Sequence, residues 1–293
     1  MPTVRKAIIP AAGFGTRFLH ISKSLPKEML PVVDKPVVQY VIEEAVASGI
    51  TDILFVVSRG KRPLEEYFHA IPELETELSA KGKLAELESV TRLNHLARIH
   101  FTWQQQMRGL GDAVLHAKSF VGNEPFAVLL GDCILESHDP SGKPVLRQLL
   151  DTFEATGAST VALEEVPLEK VSRYGIAGGT METDTRLKVE TWIEKPTPEQ
   201  APSRLAVSAR YVFTPGIFDE LATTQPGKNG EIQLTDAMRA LLQKESTYGV
   251  KYSGQRHDIG NKIEFLKTNL HFALQREDTA PAMREYLRQL GNG

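Results

Sequence analysis

A short loop near the beginning of the chain carries residue types that suit a polyphosphate. Gly13 and Gly15 follow an apolar run, and neither has a Cβ atom that would keep a ligand away from the backbone. Backbone N–H groups in such a loop can form a concave anion site. Arg17 and Lys27 come next, and two cations suit an anion with several negative oxygens, such as a nucleoside triphosphate. A plain tight turn would explain the glycines, but it needs neither cation.

The same loop argues against two common nucleotide-binding motifs. No Gly-Lys-Ser/Thr sequence follows it, so it is not a P-loop. Phe18 stands where the third glycine of the dinucleotide fingerprint belongs, which disfavours a Rossmann dehydrogenase.

Two aspartates are candidate ligands of Mg²⁺. Asp132 follows an apolar run at 126–130, and ligands of open α/β sheets bind beyond the carboxyl ends of the strands. A carboxylate there can hold Mg²⁺, which prefers oxygen ligands and often bridges protein to phosphate. Asp258 could supply a second ligand from a distant part of the chain. Capping of a following helix is the alternative for both residues. Cys133, next to Asp132, is expected to be a small buried residue rather than a nucleophile.

Two further polar segments could bind other parts of a substrate. In Glu194-Lys195-Pro196, the carboxylate can accept hydrogen bonds from sugar hydroxyls and the lysine can pair with a phosphate, although a solvated surface pair is the simpler interpretation in isolation. In the loop 104–111, the Gln104 amide can both donate to and accept from a pyrimidine. An ordinary polar loop is the alternative there.

The elements that would position these residues alternate between strands and helices. Apolar runs predict strands at 4–10 and 53–57, and helical spacing of apolar residues from Val37 to Val46 predicts a helix between them that stops at Gly49. This βαβ unit implies a parallel sheet with helices on its faces. The same patterns predict strands at 99–103, 126–130, 160–163, 188–193 and 205–213, and helices at 112–120, 231–242 and 261–274.

A single α/β domain spanning residues 1–293, with two helical additions, is the predicted organisation. Residues 64–98 are rich in Glu, Lys and Leu, which favours a solvated helical insertion in which Gly82 divides two amphipathic helices. A second helical segment is predicted at about 261–293.

Composition narrows the classes of partner. The chain has 293 residues, 41% of them hydrophobic, and a net charge of -3, so no basic field indicates nucleic acid as a partner. Cys133 is the only cysteine, which excludes an intrachain disulfide. No signal-peptide pattern is visible, and no segment approaches the ~18 apolar residues that span a bilayer. We therefore expect a cytoplasmic protein without a membrane partner.

Taken in order, these motifs resemble the sugar-nucleotide pyrophosphorylases, and most closely the bacterial UTP–glucose-1-phosphate uridylyltransferases. The resemblance extends over nearly the whole chain and includes the helical insertion. The matching segments are 11–17, 26–31, 33–36, 43–45, 109–111, 174–175, 194–196, 210–211, 231–236 and 258–262. It implies a Rossmann-like nucleotidyltransferase fold with a central mixed, mostly parallel sheet flanked by helices.

The resemblance also implies roles for individual residues. The resemblance implies nucleotide binding by Ala11, Ala12, Gly13, Gly15, Gln104, Gly109 and Asp132. Catalytic roles fall to Arg17, Lys27, Asp132 and Lys195. Binding of the sugar phosphate falls to Tyr174, Gly175, Glu194, Lys195 and Tyr211, and Asp132 with Asp258 would hold Mg²⁺.

The implied reaction converts UTP and glucose 1-phosphate into UDP-glucose and pyrophosphate with Mg²⁺ as cofactor, and the family implies a homodimer or homotetramer. A thymidylyltransferase or another sugar-nucleotide pyrophosphorylase is one alternative, and a non-catalytic nucleotide-sugar sensor is another. The chain departs from the usual pattern at 20–25, between the two cationic motifs, and at Gly131, where these uridylyltransferases often have proline.

Overall fold

The computed structural model describes residues 3–227 and 230–291. Within these residues the β-strands are β1 (Lys6–Ala11), β2 (Pro31–Val32), β3 (Lys35–Pro36), β4 (Asp52–Val57), β5 (Arg98–Trp103), β6 (Phe126–Leu129), β7 (Cys133–Ser137), β8 (Ser159–Glu165), β9 (Gly175–Met181), β10 (Arg186–Glu194), β11 (Leu205–Phe213), β12 (Thr247–Lys251) and β13 (Gly254–Asp258). The α-helices are α1 (Leu19–Ser22), α2 (Val37–Ala47), α3 (Arg62–Glu66), α4 (Pro72–Ala80), α5 (Leu84–Leu93), α6 (Leu110–Leu115), α7 (Lys118–Val121), α8 (Val145–Thr156), α9 (Ile217–Thr223), α10 (Leu234–Leu241), α11 (Lys262–Gln275) and α12 (Ala280–Gly291).

Nine strands form one mixed sheet, in the order β5-β4-β1-β6-β11-β8-β12-β10-β9. β1 pairs in parallel with β4 and β6, and β4 pairs in parallel with β5. β11 runs antiparallel to β6 and β8, whereas β8 and β12 are parallel. The predicted mixed α/β sheet is confirmed, with parallel pairing concentrated on the side of the sheet that contains β1.

Helices cover both faces of this sheet, which explains why its strands are continuous apolar runs. In β4, Phe55 packs into a cluster with residues of α2 and α8, such as Val41 and Leu149. The next residue, Val56, points to the other face, where it joins a cluster with residues of α6, α9 and α10, such as Phe218. The carboxyl ends of β1, β4, β5 and β6 consequently meet at one edge of a three-layer structure.

The predicted strands and helices are present, and two of the helices differ in their bounds. Helix α2 stops beside Gly49, whose φ of 99° suits the glycine predicted to end it. The helix predicted at 112–120 is divided into α6 and α7, because the Ala117 N–H bonds to the Val114 carbonyl oxygen, one residue closer than in an α-helix. The helix predicted from 231 begins only at Leu234, since the Ile232 N–H bonds instead to the Arg108 carbonyl oxygen.

The two predicted helical additions are also present in the described residues. Between 62 and 93 the chain forms α3, α4 and α5, and Gly82, with φ of 67°, separates α4 from α5 as predicted. Helix α11 packs through Phe265 and Phe272 on a small cluster that contains Ile134 of β7. Among the helices that the structure describes, none is both long and apolar enough to cross a membrane.

Candidate active site

The glycine loop after β1 is held in place from the neighbouring strand. Ser58, directly after β4, donates from Oγ to the Ala12 carbonyl oxygen at 2.6 Å. The Lys61 Nζ donates to the Gly13 carbonyl oxygen at 2.9 Å. Gly15 has φ of 64°, and a Cβ atom there would also lie 3.3 Å from the Lys27 Cβ. These hydrogen bonds to the Ala12 and Gly13 carbonyl oxygens hold the backbone of the loop in one conformation.

Lys61 and Glu28 form a buried ion pair beneath this loop, and no role was predicted for either residue from the sequence. The Lys61 Nζ lies 2.9 Å from the Glu28 Oε2, and the two side chains are 7% and 0% exposed. Burial raises the pKa of Glu28, an effect that Lys61 and Lys27 oppose. The sequence around Lys61 does not distinguish it from a surface lysine. Its role in holding the loop depends on contacts with Gly13 and Glu28, about thirty to fifty positions earlier.

Three of the predicted catalytic side chains converge on Gly260. The Lys27 Nζ lies 2.5 Å from the Asp132 Oδ2, and the Arg17 Nη1 donates to the Gly260 carbonyl oxygen at 3.2 Å. A Cβ atom on Gly260 would lie 3.2 Å from that Nη1 and 3.8 Å from the Asp132 Oδ2. Burial opposes ionisation of Asp132, but Lys27 and Arg17 outweigh it and lower the pKa of the carboxyl group. The carboxylate is therefore negatively charged at neutral pH.

Asp258 faces the same small space, and the ribbon of β7 and β13 explains why. Asp258 pairs with Cys133 in this antiparallel ribbon, which brings it beside Asp132 from 126 positions away in the sequence. Its Oδ1 accepts from the Gly260 N–H at 2.8 Å and would lie 2.9 Å from a Cβ atom on Gly260. Mg²⁺ is commonly bound by one or two carboxylates together with phosphate oxygens of the substrate. The two carboxylates beside Gly260 therefore fit the protein part of such a donor set.

Gln104 and Gly109 lie together at the end of β5. The Gln104 side chain is buried, and its Nε2 donates to the Asp112 Oδ2 at 2.6 Å and to the Gly109 carbonyl oxygen at 3.3 Å. Both amide hydrogens are used, so the amide oxygen is the group that Gln104 can offer to a ligand. Gly109 has φ of 107°, and a Cβ atom there would lie 2.9 Å from the Ile232 carbonyl oxygen, so this position requires glycine.

A third group of predicted residues surrounds Glu194 at the end of β10. The Glu194 Oε2 accepts from the Thr235 Oγ1 at 2.7 Å, and its Oε1 lies 3.1 Å from the Lys195 Nζ. Gly175 leaves little room beside them, because a Cβ atom there would lie 2.9 Å from the Thr235 Oγ1. The Lys195 backbone N–H donates to the Tyr174 carbonyl oxygen at 2.9 Å.

Tyr211 lies deeper than the other residues of this group. Its side chain is only 5% exposed and its ring stacks on Phe213 at 5.6 Å between centroids. Burial, followed by the nearby Glu194 carboxylate, raises the pKa of its hydroxyl group. The contact with glucose that the resemblance implies for Tyr211 stays a prediction.

Two connections between these groups were not predicted. The Arg256 guanidinium, two residues before Asp258, lies 4.5 Å from the centre of the Tyr174 ring. The segment 231–235 contacts two of these groups: Ile232 lies against Gly109, and Thr235 donates to Glu194. Residues 231–235 belong to a motif of the resemblance and Arg256 lies just before another, but the residue types alone do not show which groups these segments join.

The two departures from the family pattern have simple structural settings. Residues 20–25 form the end of the exposed helix α1 and the turn after it. At Gly131 a Cβ atom would lie 3.0 Å from the Ile9 Cγ2 and 3.2 Å from the Glu28 Cγ, so a side chain there would require these neighbours to shift by a few tenths of an ångström. Cys133 is buried as expected, and burial raises the pKa of its thiol.

A glycine loop, cations and paired carboxylates on one edge of an α/β sheet are typical of enzymes that transfer phosphate-containing groups. The chain belongs to the nucleotidyl transferase family, whose model matches residues 6–275, and within it to the group of UTP–glucose-1-phosphate uridylyltransferases.

Full-length relatives support both levels of this assignment. The chain is 47% identical over 292 residues to the UTP–glucose-1-phosphate uridylyltransferase of Bacillus subtilis. The alignment covers 100% of this chain and 99% of that protein. It is 48% identical over 289 residues to the enzyme of the same name from Streptococcus pneumoniae, which covers 98% and 96%.

Solved structures confirm the fold. The structure of a UDP-glucose pyrophosphorylase complexed with UDP-glucose superposes with a TM-score of 0.85 at 40% identity, covering 94% of this chain and 100% of that one. The UTP-bound enzyme from Acinetobacter baumannii gives a TM-score of 0.90 at 37% identity, covering 98% and 100%.

Proposed function

We propose that this protein is a UTP–glucose-1-phosphate uridylyltransferase, which forms UDP-glucose and pyrophosphate from UTP and glucose 1-phosphate. The observation that carries the proposal is the 47% identity, over the full length of the chain, with enzymes of that name. The cationic loop, the paired aspartates and the Glu194 group would provide the three kinds of contact that the two substrates require.

The reaction needs no covalent intermediate on the protein. A phosphate oxygen of glucose 1-phosphate attacks the α-phosphorus of UTP in line, and the bond from that phosphorus to the pyrophosphate oxygen breaks. Because the nucleophile is already an anion, the protein must position two negative substrates and offset their repulsion. Lys195 would bind the phosphate of the sugar, while Arg17 and Lys27 would bind the triphosphate and stabilise the departing pyrophosphate.

Asp132 and Asp258 would hold Mg²⁺ in this mechanism. When bound, the metal would neutralise phosphate charge and act as a Lewis acid at the reacting phosphate. The Lys27 Nζ, 2.5 Å from the Asp132 Oδ2, would keep that carboxylate ionised and oriented. Thr235 would orient Glu194 through their 2.7 Å hydrogen bond, so that the carboxylate can accept from glucose hydroxyl groups.

Gln104 would contribute to selection of the base. Its amide hydrogens are used by Asp112 and Gly109, so the free amide oxygen accepts but does not donate. Uracil and thymine carry an N3–H donor, whereas cytosine has an acceptor at that position, so the geometry favours the first two bases. We further infer that the enzyme works in the cytoplasm as a homodimer or homotetramer, as its family does.

An assay of UTP, dTTP, ATP and CTP against glucose 1-phosphate, with and without Mg²⁺, tests the proposal. The expected result is pyrophosphate release that requires Mg²⁺ and is fastest with UTP. Faster release with dTTP would identify a thymidylyltransferase instead. Binding of UDP-glucose without turnover of any nucleotide would favour a sensor and contradict the proposal.

A further inference from the structure

Two histidines and a glutamate meet on the ribbon of β7 and β13, separate from the Gly260 site. Glu136 comes from β7, His257 from β13 and His271 from α11, and we call these three residues the histidine cluster. Their ligand atoms all lie within 4.8 Å of one another. Among the residues that the structure describes, this is the one group of three or more such side chains close enough to share a metal ion.

Both imidazole rings point the same nitrogen at the same oxygen. The Nε2 atoms of His257 and His271 lie 3.1 Å and 2.8 Å from the Glu136 Oε2. The Nε2 of His138 lies 3.9 Å from that oxygen as well. A tetrahedral Zn²⁺ site with bonds of about 2.1 Å separates its ligand atoms by about 3.4 Å. The two nitrogen–oxygen distances would therefore open by about 0.3 Å and 0.6 Å to reach this spacing, and all three ligand atoms already lie within 4.8 Å of one another.

Gln275 also contacts the cluster. Its Nε2 donates to the Glu136 Oε1 at 2.9 Å and lies 3.0 Å from the His271 Nε2. When the His271 nitrogen donates to the carboxylate, the amide donates only to Glu136, whereas coordination of a cation would use the lone pair of that nitrogen.

The burial of the cluster suits a bound ion with access from one side. The His257 side chain is 4% exposed, Glu136 22% and His271 33%. The His257 ring also packs on Phe272, with 5.2 Å between the ring centres, which fixes its orientation. One ligand is thus rigidly placed by the core, and the open side can admit the ion together with His138 or water as a fourth ligand.

We propose that the histidine cluster binds a divalent transition-metal ion, with Zn²⁺ the best match to two imidazoles and one carboxylate. Imidazole nitrogen is a ligand for Zn²⁺, Co²⁺ and Ni²⁺, whereas Mg²⁺ prefers oxygen. The cluster is therefore chemically different from the pair of aspartates at Gly260. It does not depend on the proposed nucleotide chemistry.

The position of the cluster gives the ion a structural role. It joins β7, β13 and α11, and the contacts of Glu136 with His257 and His271 span 121 and 135 positions of sequence. The same ribbon presents Asp258, which pairs with Cys133 beside Asp132. A metal at the cluster would fix the helix to the strands that carry the candidate magnesium ligands.

Titration with Co²⁺ tests the proposal directly. The protein is first treated with a chelator and then kept in excess Mg²⁺, which occupies the oxygen site. We expect one equivalent of Co²⁺ to bind with the visible absorption of a nitrogen-coordinated ion. Zn²⁺ at about 100 times its dissociation constant should then raise the Tm by about 5 °C.

His271→Gln and His95→Ala are the matched variants. Glutamine can still hydrogen-bond to Glu136 but is a poor metal ligand, so Co²⁺ binding should weaken at least about tenfold while the metal-free Tm stays near that of the unaltered protein. His95 is exposed and is not part of the cluster, and its loss should change neither Co²⁺ binding nor the Tm. Absence of stoichiometric Co²⁺ binding would overturn the proposal, and so would binding that His271→Gln leaves intact.

Discussion

Lys195 holds a backbone conformation that a lysine rarely adopts. Its φ is 47°, in the left-handed region where a side chain costs roughly 1 kcal/mol or more. Strain of this kind is commonly found at functional sites, and here the strained residue is the one expected to bind the phosphate of the sugar. Stability therefore does not explain why this position carries a lysine, whereas binding of the phosphate would.

Lys195→Gly separates the two effects. Relief of strain should keep the Tm at or above that of the unaltered protein, while loss of the cation should lower kcat about 100-fold, or about 3 kcal/mol at the barrier. Pyrophosphate release and thermal unfolding of the same preparation measure both. Turnover near the original rate would remove Lys195 from the mechanism.

Substitution of Asp132 tests whether the candidate metal site needs a charged side chain at this position. Asp132→Asn keeps the shape of the side chain but removes the charge that pairs with Lys27. We expect folded protein with about 100-fold slower turnover at saturating Mg²⁺. Asp184→Asn, on an exposed turn, is the control that should leave kcat unchanged. An Asp132→Asn enzyme with the original kcat and the original Mg²⁺ requirement would contradict the metal assignment.

Glu194 should act mainly on one substrate. Its carboxylate is oriented by Thr235 and is largely buried beside Gly175, so its loss should raise KM for glucose 1-phosphate by about tenfold and leave KM for UTP nearly unchanged. Glu190→Ala, an exposed position on the same strand, provides the comparison for Glu194→Ala. If the two KM values rise together, Glu194 instead supports the whole site.

At the scale of elements, a buried ion pair joins α2 to the centre of the sheet. The Arg210 Nη2 in β11 lies 2.6 Å from the Glu44 Oε2 and donates to the Cys133 carbonyl oxygen at 3.0 Å. The Glu44 Oε1 also accepts from the Leu146 N–H at 3.0 Å, at the start of α8. One carboxylate thus fixes two helices and a strand next to Asp132.

Glu44→Ala leaves the Arg210 charge buried without its partner. The expected loss is about 3–5 kcal/mol in the free energy of unfolding, seen as a fall in Tm of roughly 10 °C. Glu43→Ala removes the adjacent carboxylate, which is 35% exposed and pairs with Lys35, and should cost no more than about 1 kcal/mol. Equal effects of the two substitutions in urea unfolding would show that the buried pair has no special importance.

Sequence patterns predicted strands that are continuous apolar runs and missed β13, which has no apolar run. β4 is a continuous apolar run, so its residues alone indicate a strand. β13 reads Gly-Gln-Arg-His-Asp and shows no apolar period, and it is a strand only because it pairs with β7. The rule that ligands bind beyond the strand ends was enough to select Asp132. The partnership of Asp132 with Asp258, and the support from Lys61, depend on long-range contacts that no local pattern contains.

At the scale of the whole molecule, the outer faces of the two C-terminal helices are unusually apolar. Ile263 and Leu266 of α11 are 61% and 63% exposed, and Tyr286 and Leu290 of α12 are 54% and 60% exposed. The spacings of three and four residues place each pair on one side of its helix. Exposed apolar patches commonly mark interfaces between proteins, and a symmetric dimer would cover the same patch on both copies.

Light scattering coupled to size-exclusion chromatography should therefore give two or four times the mass of one chain. Leu266→Glu with Leu290→Glu places charges in the proposed contact and should shift the mass toward that of a monomer, because a buried unpaired charge is costly at an interface. Leu84→Glu is the control, since Leu84 is 67% exposed but lies on α5, far along the chain from the C-terminal helices. If the double variant keeps the original mass, the copies meet elsewhere; a monomeric unaltered protein would mean that these side chains remain exposed in solution.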